Sequence, residues 1–494
     1  MELEFQKTPI RYLSTVLQDV KNTEVTQEVR LPDGMPDIGR ILTTTAQVLL
    51  RSKEWDGDRI TATGTVVTST LYAPEDGTEP RSVENWIPFQ IRYDGAAATH
   101  EGPMEVLPLL RSADSRSLSA RKMMVRATVS ALVRGFENRE SQLYAPTEMP
   151  EDVQLLEHTY PMLIPVEAGE KTVILDEELT VPGAEKILCI IMHPGVTEQK
   201  IVADQVVFKG IAQLHALYRD EGSQLRSWDG EVAFSQLAQL DGKHDEKSVA
   251  DVCPAVTSFD WDLSEDGKLR VKASVVGQYL VHDFQSIRVI QESYSPQRAV
   301  EVKQEILELP ARLDARVEKF SPEVLLPGTV GQGLYGGFYP DFPRQKRTPK
   351  GIELELNGVF QELVQGDDSL QGTNSRWEGK YTIPADEESN LTAIPRAVGS
   401  VRAVPSVDGL NLHSQMELSM QFDGVQKIPM VTGLELGELQ ELPDSRPSLV
   451  ICSCREGNLW ELAKRYGSTV SAIQTANGIQ DAPEDRRMLL IPVL

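Results

Sequence analysis

The sequence predicts a mainly β protein: three tandem antiparallel β-sandwich-like repeats followed by a small βααβ unit. Three observations lead there. A Leu/Val-Pro step recurs about every 150 residues, at Leu31-Pro32, Val181-Pro182 and Leu326-Pro327. Each step is followed by an alternating apolar and polar run that carries one glycine. At the other end, Ser448 to Val493 holds two short apolar runs that flank two helical patterns.

A chain of 494 residues is too long for one core and should divide into three or four domains. Its 40% hydrophobic and 25% charged residues fit a folded globular protein. The net charge of −25 argues against nucleic acid or an anionic membrane as partner, since both repel it. Met1 to Lys7 shows no basic stretch leading into an apolar core, and no run of about 18 apolar residues occurs, so neither a secretory signal nor membrane insertion is expected. Four cysteines are too few for a disulfide framework, which makes a reducing cytosol the default.

The first repeat, 1-145, opens on a segment that reads as helical, Ile10 to Val20. The glycine-bearing strands are Ile60 to Val67, Val206 to Leu214 and Ile352 to Phe360, and the first two lead to Leu71-Tyr72 and Leu217-Tyr218; the third keeps Leu363-Val364. Trp86, Trp228 and Trp377 then precede further alternating runs. Each copy closes on a long strand pattern, Lys122 to Val129, Lys268 to Val275 and Leu410 to Leu418. Asp266-Gly267 and Asp408-Gly409 mark hairpins before the last two. The second and third repeats span 151-308 and 313-440, with linkers expected at Tyr144 to Pro150, Glu308-Leu309-Pro310 and Glu441 to Pro447.

In the terminal unit, 447-494, Leu449-Val450-Ile451 and Met488 to Ile491 predict strands. Leu459, Leu462, Ala463 and Tyr466 line one face of a helix that starts after the N-cap Asn458 and stops at Gly467. Thr469 caps a second helix, with Val470, Ile473 and Ala476 inward and Asn477-Gly478 as its left-handed end. Leu459-Trp460, Ala463-Lys464, Tyr466, Thr469-Val470, Ile473, Ala476 to Ile479 and Leu490 to Pro492 together resemble a LysM domain along its whole length. The resemblance implies a groove for N-acetylglucosamine glycans between the loops 455-459 and 477-480, with Glu456, Gly457, Asn458, Leu459, Asn477, Gly478 and Ile479 as its residues. It also implies that Trp460 is buried against the second helix, so that its loss unfolds the unit. Most members of the family read Gly-Asp-Thr before Leu-Trp; here Glu456-Gly457-Asn458 changes the backbone path and the donors that would face a sugar.

Three acidic β-repeats and one LysM module resemble the SPOCS-domain proteins of spore-forming Firmicutes, most closely along Glu28 to Leu42. That resemblance implies a non-enzymatic protein in the mother-cell cytoplasm, at the forespore surface, that attaches the coat to the developing spore. Its LysM domain would dock the coat's basement-layer ATPase or another coat protein. Peptidoglycan in the same groove is the alternative.

Other motifs predict less. Cys452-x-Cys454 has no second pair nearby and reads as strand or loop residues rather than a metal half-site. The run Gly331-x-Gly333-x-x-Gly336-Gly337 matches a dinucleotide fingerprint on paper but opens onto Phe338-Tyr339-Pro340, so a flexible loop is expected. Arg344, Lys346, Arg347 and Lys350 read as a solvated basic loop. Leu31 to Asp37 reads as a rigid turn, either a docking surface or a strand connector. No nucleophile or acid-base constellation stands out, and no catalytic residue, cofactor site or metal ligand is assigned.

Overall fold

The computed structural model describes residues 1–95, 101–366, 369–385, 389–440, 447–453, 458–480 and 488–494. The chain is mainly β, in several antiparallel sheets with no closed barrel. The first unit comprises β1 (Phe5–Arg30), β2 (Ile38–Asp56), β3 (Arg59–Pro74), β4 (Arg81–Asp94), β5 (Met104–Ser119) and β6 (Lys122–Pro146). The second comprises β7 (Gln154–Thr180), β8 (Ala184–Val202), β9 (Gln205–Asp220), β10 (Leu225–Gln239), β11 (Val249–Leu263) and β12 (Lys268–Tyr294). The third comprises β13 (Val300–Phe320), β14 (Glu323–Pro327), β15 (Gln332–Thr348), β16 (Gly351–Gln365), β17 (Leu370–Ile383), β18 (Asn390–Ser406) and β19 (Gly409–Leu436). The terminal module is β20 (Leu449–Ser453), α1 (Leu459–Tyr466), α2 (Val470–Asn477) and β21 (Met488–Pro492).

The three units share one topology. Their middle strands form meanders, β2-β3-β4, β8-β9-β10 and β15-β16-β17. Their first, penultimate and last strands form the facing sheet, with the long last strand in the middle: β1-β6-β5, β7-β12-β11 and β13-β19-β18. In the third unit the first strand is interrupted, and β14 resumes pairing with β19. Each sandwich closes on its own core, for example Ile60, Val66 and Val129, then Phe208, Leu214 and Val271, then Leu354, Phe360 and Leu418.

The glycine found in each central meander strand is explained by an aromatic ring. A Cβ on Gly64 would lie 2.4 Å from the Phe89 ring, one on Gly210 2.2 Å from Phe234, and one on Gly358 2.4 Å from Phe338. The ring comes from the following strand in the first two units and from the preceding strand in the third. The tryptophans are less regular: Trp86, Trp228 and Trp377 stand opposite Val67, Ala216 and Gly358, at different registers of β4, β10 and β17.

Several expectations are corrected. Ile10 to Val20 is not helical; it lies inside β1 and pairs with β6 from Ser141 to Leu132. Alternation along β1 slips at Leu13 and at a bulge between Thr15 and Leu17, which imitates helical spacing in an extended strand. Glu308-Leu309-Pro310 is not a linker but the middle of β13, opposite Lys427, Gln426 and Val425, so the third unit begins at Val300. Pro310 is tolerated there because β13 meets its other neighbour, β7, only at Arg312 and Leu163. Gly333, Gly336 and Gly337 of the glycine run and Arg344, Lys346 and Arg347 of the basic island are in β15 rather than in loops, with Gly331 just before the strand and Lys350 in the turn after it. Of the other linkers, Tyr144 to Pro146 belongs to β6, and residues 441–446 lie outside the described residues.

The same bulge recurs in all three first strands, at Val16, Val166 and Leu313. Beyond it each first and last strand continue as a two-stranded ribbon, and the three ribbons pack on one another through Ile10, Met162, Ile164, Ile287, Leu309 and Ile428. On the opposite side of the bulges the meanders meet. Leu42 and Leu71 of the first unit, Cys189 and Leu217 of the second, and Tyr335 and Leu363 of the third form one cluster. Each pair of units also has its own polar or ring contact. Met192 N donates to Gln47 Oε1 at 2.8 Å, the His215 and Tyr335 rings stack at 4.3 Å, and Gln361 Nε2 donates to Thr44 O at 2.9 Å.

Glu362, next to Leu363, is buried at 2% exposure, and its Oε2 has no hydrogen-bond partner among the described residues. A Cβ on Gly336 would sit 1.8 Å from that oxygen, which accounts for the glycine in β15. Burial pushes the Glu362 carboxyl up to about 8, against a backbone hydrogen bond from Leu334. Because the folded value is raised, the stabilisation is complete below the ordinary glutamate range and is lost as pH rises through about 8. Glu362→Gln should therefore match the parent near pH 5 and exceed it near pH 9 by on the order of 2–4 kcal/mol, read by denaturant unfolding at both values. A constant difference across pH would contradict the assignment.

Candidate functional site

The module's strands pair antiparallel, Leu449 with Pro492 and Ile451 with Leu490. Its core is Leu459, Trp460, Leu462 and Ala463 of α1, Ile473 of α2, and Leu489 and Ile491 of β21. The expected caps are in place: Asn458 Oδ1 accepts from Trp460 N at 3.0 Å, Thr469 Oγ1 accepts from Ala472 N at 3.1 Å, and Gly467 and Gly478 are left-handed at φ 61° and 62°.

Of the seven candidate groove residues, Glu456 and Gly457 lie outside the described residues. Leu459 is in the core, and the Asn458 side chain is engaged in capping α1. Asn477, Gly478 and Ile479 form the end of α2, where Ile479 N donates to Gln474 O at 3.1 Å and its side chain packs on the module core. The Asn477 amide is bonded on both sides. Nδ2 donates to Ile473 O at 2.8 Å and Leu490 O at 2.6 Å, while Oδ1 accepts from Leu490 N at 2.8 Å. That side chain ties α2 to β21. Cys454 is outside the described residues, and Cys452 takes a hydrogen bond from the Tyr466 hydroxyl at 3.6 Å.

Trp460 has a second role that sequence reading missed. Its Nε1 donates to Glu292 Oε2 at 2.6 Å, and Lys464 pairs with the same carboxylate. The Tyr294 ring meets the indole edge-on at 4.7 Å, and its hydroxyl donates to Ser468 O at 3.0 Å. The module is thus seated on the end of β12. A register shift between Ile290 and Glu292 sets how this strand end presents its side chains. Burial would raise the Glu292 carboxyl, but hydrogen bonds from Lys464 and Trp460 outweigh it and hold it below its ordinary value. Burial, with Glu292 adding to it, pushes the Tyr294 hydroxyl up to about 12. The only sequence signal was an acid and an aromatic at alternate positions of a strand end, which is common.

The other motifs resolve as structure. Arg121 Nη1 donates to Met35 O and Asp37 Oδ1, and Nη2 to Pro32 O, all at 2.9 Å, so the Leu31 to Asp37 turn is pinned to the β5-β6 hairpin. Among the described residues no group of three metal-ligating side chains occurs, and no helix is long and apolar enough to cross a membrane. Comparison with family models, curated proteins and solved structures returns no match.

Two outcomes follow. Asn477→Ala should free the β21 end, lowering amide protection at Leu490 in hydrogen exchange by an amount equivalent to about 1–3 kcal/mol, whereas Asn458→Ala should cost about 1 kcal/mol and act on α1. Glu292→Ala with Tyr294→Ala should release the module from β12, increasing the radius of gyration in solution scattering while the module stays folded. Unchanged scattering would show that the seat is not what holds it.

Proposed function

We propose that this protein is a non-enzymatic scaffold of spore-envelope morphogenesis. The three β-units serve as one rigid body, and the LysM-like module serves as its recognition end. The module docks a coat basement-layer protein, the basement-layer ATPase being the first candidate, and the protein acts on the mother-cell side at the forespore surface. The observation that carries this reading is the position of the module: it is fixed at the end of the packed ribbons through Glu292 and Tyr294, as a presented binding end rather than a loose tether. The commitment of the Asn477 side chain to the module's own backbone favours a protein partner over glycan, because its amide protons would otherwise be sugar donors.

The test is a paired capture with the full chain, using purified basement-layer ATPase on one side and peptidoglycan sacculi on the other. Retention of the ATPase and not of sacculi, with loss on deletion of 447–494, is the expected result. Capture by sacculi alone would replace this reading with peptidoglycan binding.

A further inference from the structure

Alternation along the module's two strands sorts their side chains onto two faces. Val450, Cys452, Leu489 and Ile491 turn toward the helices and pack in the module core. Leu449, Ile451, Met488 and Leu490 take the other face, where they are exposed at 45%, 58%, 64% and 37% with the whole β-body in place. Neither the helices nor the β12 seat covers them. Register sets Ile451 opposite Leu490 in the middle of this face, with Leu449 opposite Pro492 on one side and Met488 in the row on the other. None of these side chains carries a charge or a hydrogen-bonding group, so the face offers apolar burial and nothing else.

The outer edge of β21 is closed, because the Asn477 amide bonds both backbone groups of Leu490. Contact through this sheet is therefore face to face. Charge decides what meets it. The residues from Ser448 onward hold five basic and five acidic side chains, so the net charge of −25 lies entirely on residues 1–447. Two copies of the chain repel one another at the β-body but not at the module. An uncharged aliphatic face also matches itself, since a two-fold contact places the same residues on both sides. Two such faces stack as sheet on sheet, with their side chains interleaved.

We propose that the outer face of β20 and β21 is a self-association surface, on which a second copy of this chain packs its own β20-β21 face in a two-fold dimer. The axis passes through the middle row, Ile451 and Leu490, so that the two middle rows meet. The β-bodies then lie at opposite ends of the dimer, which keeps their negative charges apart. Each copy contributes a patch on the order of a few hundred Å², against about 800 Å² per partner in a stable interface. The dimer is accordingly weak, half formed at about 10–100 μM, and it dominates where copies are held close together. It uses neither the Trp460 and Lys464 side chains that hold the seat nor α2, and it is independent of what the module binds.

The test is sedimentation velocity of the full chain from about 2 to 300 μM at 0.15 M salt, where screening limits repulsion between the bodies. The dimer fraction should rise across this range. Ile451→Lys and Ile451→Glu should each be monomeric throughout, and an equimolar mixture of the two should dimerise again, because the two-fold axis sets the opposite charges together. Both changes are at an exposed position, and hydrogen exchange in α1 checks that the module stays folded. Met488→Glu, at a still more exposed position of the same face, should weaken the dimer by at least about tenfold. Val407→Glu, at an exposed apolar turn of the third unit, should leave it intact. A parent chain that is monomeric at 300 μM, a dimer indifferent to Ile451→Glu and Met488→Glu, a mixture that stays monomeric, or loss of the dimer with Val407→Glu would each overturn the proposal.

Discussion

Three leucines hold the β-body together. Leu71, Leu217 and Leu363 come from the central meander strand of each unit, and all three are buried in one shared cluster. A meander strand could end on its own sandwich; here each sends its leucine past its own core to meet the other two. Burying such side chains stabilises by roughly 1.5–3 kcal/mol each, but the larger effect is geometric. Once the three meet, the first and last strands of every unit are aimed the same way beyond their bulges, and the ribbons have no course except along one another. The hydrophobic packing of Ile10, Ile164, Leu309 and Ile428 is a consequence of that closure.

Between the leucine cluster and the ribbons lies a polar layer in which one hydrogen bond and one ion pair cross unit boundaries. Arg134 Nε donates to Glu105 Oε2 at 2.7 Å, and Nη1 reaches Gln421 of the third unit at 2.9 Å. Arg312 of the third unit forks onto Asp251 of the second at 2.7 and 3.0 Å. Burial works against the Arg134 charge, yet the surrounding carboxylates of Glu105, Asp423 and Asp251 raise its proton affinity overall. Pairs this deeply buried contribute little net stability, because desolvation offsets most of the attraction. Their effect is on register. A unit that slipped by one residue along its neighbour would leave an unpaired buried charge, at a cost of about 3–5 kcal/mol, whereas a slip of leucine on leucine would cost far less. The apolar contacts close the body, and the ion pairs fix how it closes.

Much of this was legible in the sequence, and the limits have physical causes. The repeats, the glycine strands, the terminal βααβ order and every cap of the module were readable because they depend on local chemistry: alternation, turn residues and helix stops. Ile10 to Val20 was misread because a bulge shifts the phase of alternation, and a phase slip in a strand looks like helical period. Glu308-Leu309-Pro310 looked like a linker because proline argues against a strand interior, a rule that relaxes where the strand's second edge is nearly free. The glycine run in β15 was conspicuous without being interpretable. The Glu362 carboxylate, which crowds Gly333 and Gly336, is on the next strand and becomes their neighbour only through pairing. The seat of the module on Glu292 and Tyr294 was out of reach for the same reason, since Glu292 and Trp460 are 168 residues apart.

Three copies in one chain, rather than three chains, allow equivalent positions to differ, and this protein uses that freedom at each level. Next to the shared leucine stand Thr70, Ala216 and Glu362, of which only the last introduces an ionisable group into the hub. At the ribbon ends, the second unit presents Glu292 and Tyr294 and receives the module. The third unit's end pairs Glu435 with Lys303 and binds the Met1 amine through the Leu436 carbonyl at 2.6 Å, so it is already occupied. A symmetric trimer of identical chains would carry three seats and, with one module per seat, three recognition ends. The single chain carries one. Its asymmetry is built from a few side chains on an otherwise repeated backbone, which is the least change by which a threefold body can be made to point in one direction.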